Sequence, residues 1–386
     1  MRVTFTARAA PPVQGGIQSY LRLVATGFAE NGHAVTVLTQ EASPKPGISN
    51  GRRLFDGAGF DAFERWGYTT APLSATGPRR VIAGVAAALD VAAPHVPGVR
   101  AATRYPFVWA LGPEIARRAD APDVVHAFNG GDFATASLRA ARRLGVPFVI
   151  TPHAHRGQWD DGPGDAATYR EADAVVAVSE ADADLYASLG VDRARLRLIR
   201  PCTAPPPPAT ADDERATLLF LGRRNEYKGV GLTLEAFARV RAVHPSARLV
   251  IAGPEPLPAG AVSDGVVDAG IVSEERKFAL LRSVDLLCLP SAFESFGLVV
   301  AEAWSVGTAV LTSETPALAE LVHAAGGGVA VPRDADAIAA AALDLLADPD
   351  RLRAYGAAGA EYWRAELSPE RTVGELTDLY EELRGG

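Results

Sequence analysis

The chain has 386 residues, of which 48% are hydrophobic and 22% charged, with a formal net charge of −8. That length exceeds what one small core organises and suits two domains of ordinary size. The acid excess, with no concentrated basic face, argues against a nucleic-acid partner, and the two distant cysteines, Cys202 and Cys288, build neither a disulfide framework nor a metal site.

The charge is unevenly spread, with 22 Lys/Arg against 19 Asp/Glu in residues 1–200 and 16 against 27 in residues 201–386. The less acidic first half is open to an anionic substrate or to peripheral membrane contact. A membrane span is not expected: the longest apolar run, Val81 to Ala93, contains Asp90 and stops at Pro94. The N-terminus enters a strand directly, without a cleavable apolar segment, which predicts a cytoplasmic chain. Oligomeric state leaves no signature.

In chain order, Arg2 to Thr6 reads as a strand, Gly15-Gly16 opens a helix that Gly32 ends, and His33 to Gln40 is the next strand. Residues 41–122, rich in Gly, Pro and Arg and carrying Trp66 and Trp109, are less regular, as functional insertions tend to be. Strands are predicted at Asp123–Ala127, Pro147–Thr151, Ala174–Ser179 and Leu196–Pro201, with helices between them. The proline-rich run from Pro201 to Thr210 has the composition of a stiff linker. The alternation then restarts, with strands at Thr217–Gly222, Arg248–Gly253, Asp285–Pro290, Thr308–Thr312 and Gly328–Pro332, and a helix at Val230–Val243. Two long helices follow from Asp334 and Pro349. A last amphipathic helix from Pro369 to Leu383 is expected to cross back to the first domain. The organisation predicted is an α/β pair of doubly wound, Rossmann-like domains facing across a cleft. Residues 1–203 form the first, 204–216 the linker, 217–366 the second and 367–386 the returning helix. Such sheets bind ligands at the carboxyl ends of their strands.

The stretch from Ser291 to Ala303 carries the most chemistry. A buried strand, a tight loop with Gly297 and a helix start together form a phosphate site, because the first helical N–H groups have no partner inside the helix. Glu294 lies in the loop, and Glu302 stands among Leu298, Val299, Val300, Ala301, Ala303 and Trp304, where a carboxylate needs a hydrogen-bonding partner. A ribose diol satisfies that need; capping or pairing with an arginine is the alternative. Arg223 and Lys228, flanked by Gly222 and Gly229, are spaced to grip a diphosphate, or else are solvated surface charges. Gly15 and Gly16 allow close backbone approach to a ligand, although paired glycines are common in turns. His153, favoured over His155, lies just past the end of a predicted buried strand. The pairs Asp182/Asp184 and Asp334/Asp336 fall at predicted helix starts, where acidic residues suit the dipole, so no metal site is expected.

The glycine pair, His153, the Gly222–Gly229 loop and the two glutamates eight positions apart occur in an order that resembles the retaining GT-B glycosyltransferases of family 4, as do Pro316–Val322 and Gly327–Pro332. The resemblance covers almost the whole chain. It implies transfer of a hexose from a UDP- or GDP-sugar donor to a hydroxyl of a sugar, a lipid-linked precursor or a small metabolite, without cofactor or metal. The implied roles are diphosphate binding by Arg223, Lys228 and the helix start at Ser295, Phe296, Gly297 and Leu298. Ribose falls to Glu302, the transferred sugar to Glu294 and His153, and the base to main chain around Ile271 and Val272. The acceptor hydroxyl in such enzymes attacks from the face the leaving group departs, with the phosphate as its base. Two features depart from the family pattern: Pro201-Cys202-Thr203-Ala204 replaces the usual Asn-Gly-Val-Asp, and Gln18 stands where an acid is common. The alternatives are a sugar-nucleotide epimerase on the same fold, a catalytically silent sugar-binding subunit, and a two-lobed binding protein, the last disfavoured by the missing secretion signal.

Overall fold

The computed structural model describes residues 1–13, 15–42, 61–73, 75–79, 81–82, 84–85, 99–208, 216–257 and 260–385. Two compact units emerge, Met1–Arg200 together with Pro369–Gly386, and Pro201–Ser368. No helix among the described residues is long and apolar enough to cross a membrane.

The first unit is built on an eight-stranded sheet: β1 (Arg2–Ala9), β2 (Ala34–Glu41), β3 (Phe63–Arg65), β4 (Tyr68–Pro72), β5 (Val124–Phe128), β6 (Phe148–Thr151), β7 (Ala174–Ala177) and β8 (Leu196–Leu198). Its order is β3-β4-β2-β1-β5-β6-β7-β8, parallel except where β3 turns back against β4. Helices α1 (Gly16–Glu30), α2 (Val99–Arg118), α3 (Gly131–Leu144), α4 (Pro163–Glu171) and α5 (Glu180–Ser188) connect the strands. β5 is buried at every position, as a parallel strand covered on both faces must be.

The irregular region read at 41–122 is therefore corrected in part. It contributes the β3–β4 hairpin and a 20-residue helix that carries Pro106 and Pro113 inside it. Those two prolines are what disguised α2, since proline normally ends a helix. Residues 43–60 and 86–98 of that region lie outside the described residues.

The second unit has six parallel strands, β9 (Ala216–Leu221), β10 (Leu249–Ala252), β11 (Val266–Gly270), β12 (Val284–Leu289), β13 (Ala309–Ser313) and β14 (Gly328–Val331), ordered β11-β10-β9-β12-β13-β14. Around them run α6 (Val230–Val243), α7 (Glu274–Ser283), α8 (Leu298–Ser305), α9 (Pro316–Ala325), α10 (Ala335–Leu346) and α11 (Pro349–Glu366). Numbered from its own first strand, the sheet runs 3-2-1-4-5-6, so the direction of winding reverses between β9 and β12. That switch point is where such sheets open to ligands.

The second unit begins at Pro201 rather than beyond residue 203, because the proline-rich segment packs onto it. The Thr203 N–H reaches the Leu367 carbonyl at 3.3 Å, Trp363 donates to the Thr203 hydroxyl at 2.7 Å, and Arg282 donates to the Pro207 carbonyl. The last helix, α12 (Pro369–Gly385), belongs to the first unit. There Tyr380 stacks on Phe28 with ring centroids 5.3 Å apart and meets His126 Nδ1 at 2.5 Å.

Candidate active site

Both loops that leave the switch point are tied to each other. After β9, Asn225 Oδ1 accepts the Lys228 N–H at 3.2 Å and closes a single 3₁₀ turn. Gly229 follows with φ +81°, and a Cβ there would stand 2.4 Å from the Pro290 carbonyl oxygen at the end of β12, so only glycine lets the two loops approach this closely. The Ala292 N–H donates to the Tyr227 carbonyl at 2.6 Å. Arg333 spans both loops, with Nε on the Pro290 carbonyl at 3.0 Å and a terminal nitrogen on the Glu226 carbonyl at 2.8 Å.

On this frame Lys228 and Glu294 meet. Lys228 Nζ lies 2.5 Å from Glu294 Oε1, with side chains 18% and 13% exposed. Ser291 donates to the same carboxylate oxygen at 2.9 Å, and Ser313, at the end of β13, donates to the Ser291 carbonyl at 2.5 Å. Glu294 is thus held from three strands' ends, and its Oε2 has no hydrogen-bond partner among the described residues. Lys228 is therefore an ion-paired, largely buried cation rather than a solvated surface charge.

The helix begins at Leu298, within the stretch expected to open it. Gly297 caps α8 with φ +96°, and Ser295 beside it has a buried hydroxyl with no hydrogen-bond partner. Such a group carries an unmet desolvation cost until something binds it. Phe296 is buried under the loop, and Leu298 is the first helical residue, its N–H among the open donors of the first turn.

Glu302, one turn into α8, pairs with Lys277 of α7, an interaction not read from the sequence. Lys277 Nζ reaches Glu302 Oε1 at 2.7 Å and Glu274 Oε2 at 2.9 Å. Burial raises the Glu302 carboxyl above its usual range, and Lys277 opposes that shift. Burial alone lowers Lys277, yet the two carboxylates more than offset it and hold the ammonium charged. The partners are 25 positions apart in the chain, and no local spacing announces them.

The two arginines of the β9 loop have separate fates. Arg224 is buried against Asp268 of β11 in an ion pair, whereas Arg223 is exposed and makes no ion pair among the described residues. Ile271 and Val272, where β11 ends, divide similarly: Ile271 is 68% exposed and Val272 half-buried. Around them the Gly253 N–H donates to the Gly270 carbonyl and the Gly270 N–H to Asp268, both at 2.8 Å.

In the first unit, Gly15 caps α1 and Gly16 opens it, and Gln18 folds back over the pair to donate to the Ala9 carbonyl at 3.3 Å. His153 follows β6 with φ +51°, a conformation rare outside glycine and Asn-like residues and costly unless held. It is buried edge-on to Tyr20 of α1, 6.1 Å between centroids, with Nε2 unpartnered. Burial pushes it down to about 3, so the imidazole is neutral. His155, by contrast, pairs in a bridge with Trp159.

The Asp pairs serve locally. Asp182 accepts from the Tyr186 hydroxyl and Asp184 from Arg193; Asp334 caps α10 and Asp336 pairs with Arg239. Both cysteines are buried, and neither forms a disulfide.

Residues 14–203 match Glycosyltransferase Family 4 and residues 215–348 match Glycosyl transferases group 1. The chain is 32% identical over 271 residues to a glycogen synthase of Mycobacterium tuberculosis, a match covering 59% of this chain and 61% of that protein. It is 30% identical over 318 residues to the GDP-mannose:cellobiosyl-diphosphopolyprenol alpha-mannosyltransferase of Xanthomonas campestris, covering 75% of this chain and 80% of that one. Among solved structures, Anabaena Alr3699/HepE in complex with UDP-glucose superposes with a TM-score of 0.73 at 14% identity, covering 99% of this chain and 100% of that chain.

Proposed function

The chain belongs to the family 4, group 1 glycosyltransferases of GT-B fold, and on that premise we propose that it moves a hexose from a nucleotide diphosphate sugar to an acceptor hydroxyl with retention. The observation that carries this reading is the joined pair of loops at the β9/β12 switch point. They set Lys228, Glu294, the open Ser295 hydroxyl and the start of α8 around one place.

Cleaving the sugar–phosphate bond builds negative charge on the departing diphosphate and positive character on the sugar. Lys228, held by Glu294, and the N–H groups of Gly297 and Leu298 are set before the reaction to meet that negative charge, and the exposed Arg223 joins them from the same loop as Lys228. A preorganised donor of this kind is worth roughly 10²–10³ in rate. The outer oxygen of Glu294, held steady by Lys228 and Ser291, accepts from hydroxyls of the transferred sugar. Glu302 takes the ribose, and the main chain at Ile271 and Val272 meets the base. His153 offers an uncharged nitrogen to a substrate hydroxyl. Protein cations meet the leaving charge, so the scheme needs no metal. One relative's name specifies GDP-mannose and a polyprenol-linked acceptor, and another's a glycogen synthase. A UDP- or GDP-sugar donor and a saccharide or lipid-linked acceptor therefore head the panel to be tried.

The test is release of nucleoside diphosphate from UDP-, GDP- and ADP-sugars with and without acceptors, followed by the anomeric configuration of the product by NMR. Acceptor-dependent release with retained configuration is expected, and Lys228→Ala and Glu294→Ala should each lower kcat by roughly 10²–10³. Undiminished turnover in both variants, or an inverted product, would overturn the proposal.

A further inference from the structure

We propose that Lys277 is a nucleotide-selecting residue, completing with Glu302 a paired acceptor and donor that reads the 2′,3′-diol of a ribonucleotide and disfavours 2′-deoxynucleotide donors. This rests on the assignment of Glu302 to the ribose.

A carboxylate by itself only accepts hydrogen bonds, whereas each hydroxyl of a cis-diol both donates and accepts. Glu302 is not by itself: its Oε1 is engaged by Lys277 Nζ at 2.7 Å, and its Oε2 has no hydrogen-bond partner among the described residues. The same ammonium spends a second N–H on Glu274 at 2.9 Å. An ammonium has three N–H groups; besides these two bonds this one lies 5.0 Å from the centre of the Phe278 ring, and it donates no third hydrogen bond among the described residues. The side chains of Lys277 and Glu302 are 13% and 17% exposed, so the pair is largely withdrawn from water, where hydrogen bonds discriminate best.

Placement supports the role. Lys277 sits in the first turn of α7, directly after Ile271, Val272 and Ser273, while Glu302 sits one turn into α8, beyond Ser295 and Gly297. The Lys277–Glu302 bridge thus joins the element following the proposed base loop to the element carrying the phosphate site, which is where a nucleotide keeps its pentose. In this arrangement the 3′-hydroxyl donates to the open Glu302 oxygen, and the 2′-hydroxyl accepts the remaining Lys277 N–H. Removing one hydroxyl leaves one hydrogen-bonding position of this withdrawn ion pair unfilled, and a hydrogen bond to a charged group is worth more than a neutral one.

The experiment is titration calorimetry of the whole protein with UDP, GDP and ADP and their 2′-deoxy counterparts. For the nucleotide that binds, wild type should favour the ribo form by at least about tenfold. Lys277→Met should weaken the ribo form by a similar factor, leave the 2′-deoxy form nearly unchanged, and so collapse the ratio toward one. Lys277→Gln, which keeps a hydrogen bond to Glu302 but withdraws the ammonium, gives the same readout should the methionine variant not fold. A wild-type ratio near one, or no nucleotide binding at all, overturns both the inference and the ribose assignment. A ratio lost in Glu302→Ala but kept in Lys277→Met overturns only the part given to Lys277, as does a Lys277→Met variant that weakens both forms equally.

Discussion

Burial sets the protonation of two histidines in the first unit, and with it a dependence of stability on pH. His126, fully buried between Tyr380 and Thr151, and His153 are both held down to about 3 by desolvation. In the unfolded chain each titrates near 6.5, so between those values the unfolded state binds the extra protons. The stability they contribute is complete above about 6.5 and is lost as pH falls toward about 3, at about 1.4 kcal/mol per pH unit for each histidine. Urea unfolding of His126→Gln between pH 6.5 and 4.5 should therefore show a slope shallower by about that amount; an unchanged slope would mean that His126 is not kept neutral by burial. At this scale the sequence was partly legible. Lys228, Glu294 and Glu302 stand out because glycines or an apolar helix surround them. Lys277, Ser313 and Arg333 do not, because their roles come from strands and helices that meet only in the folded sheet.

Elements were legible where one local rule governed them. The helix from Val230 to Val243 falls between the residues its apolar pattern and flanking glycine indicate. β11 passed unnoticed because Asp268 and Gly270 dilute a five-residue strand, and α2 because of its two prolines. The glycines that begin α6 and α8 make a test at this scale. Gly229 and Gly297 both have positive φ, but an added Cβ meets a backbone oxygen at 2.4 Å in the first and the end of the Leu318 side chain at 2.6 Å in the second. A leucine methyl can turn aside and a strand-end carbonyl cannot. Gly297→Ala should cost about 1–2 kcal/mol and Gly229→Ala more, as read by chemical denaturation; the reverse order would contradict the close approach of the loops.

At the scale of the molecule, the alternation of strand and helix, twice repeated, was enough to anticipate two doubly wound sheets, because parallel sheets allow few connections. Where each unit ends was harder to read, since the proline-rich segment looks like a linker yet packs on the second unit through Thr203 and Pro207. α12 supplies Tyr380 to the buried end of the first unit and pairs Arg384 with Asp123 and Glu382 with Arg197. Truncation after Ser368 should therefore strip hydrogen-exchange protection from residues 1–200 while leaving 201–368 protected; equal loss in both units would contradict the division. The claim on which the functional proposal depends is that a diphosphate is gripped at the β9/β12 switch point. Calorimetric titration with UDP and GDP against UMP and GMP, in wild type and in Lys228→Ala, tests it most directly. A diphosphate should bind at least about tenfold more tightly than its monophosphate, and Lys228→Ala should erase most of that advantage. Equal affinity for the two in wild type, or an advantage untouched by the loss of Lys228, would contradict it.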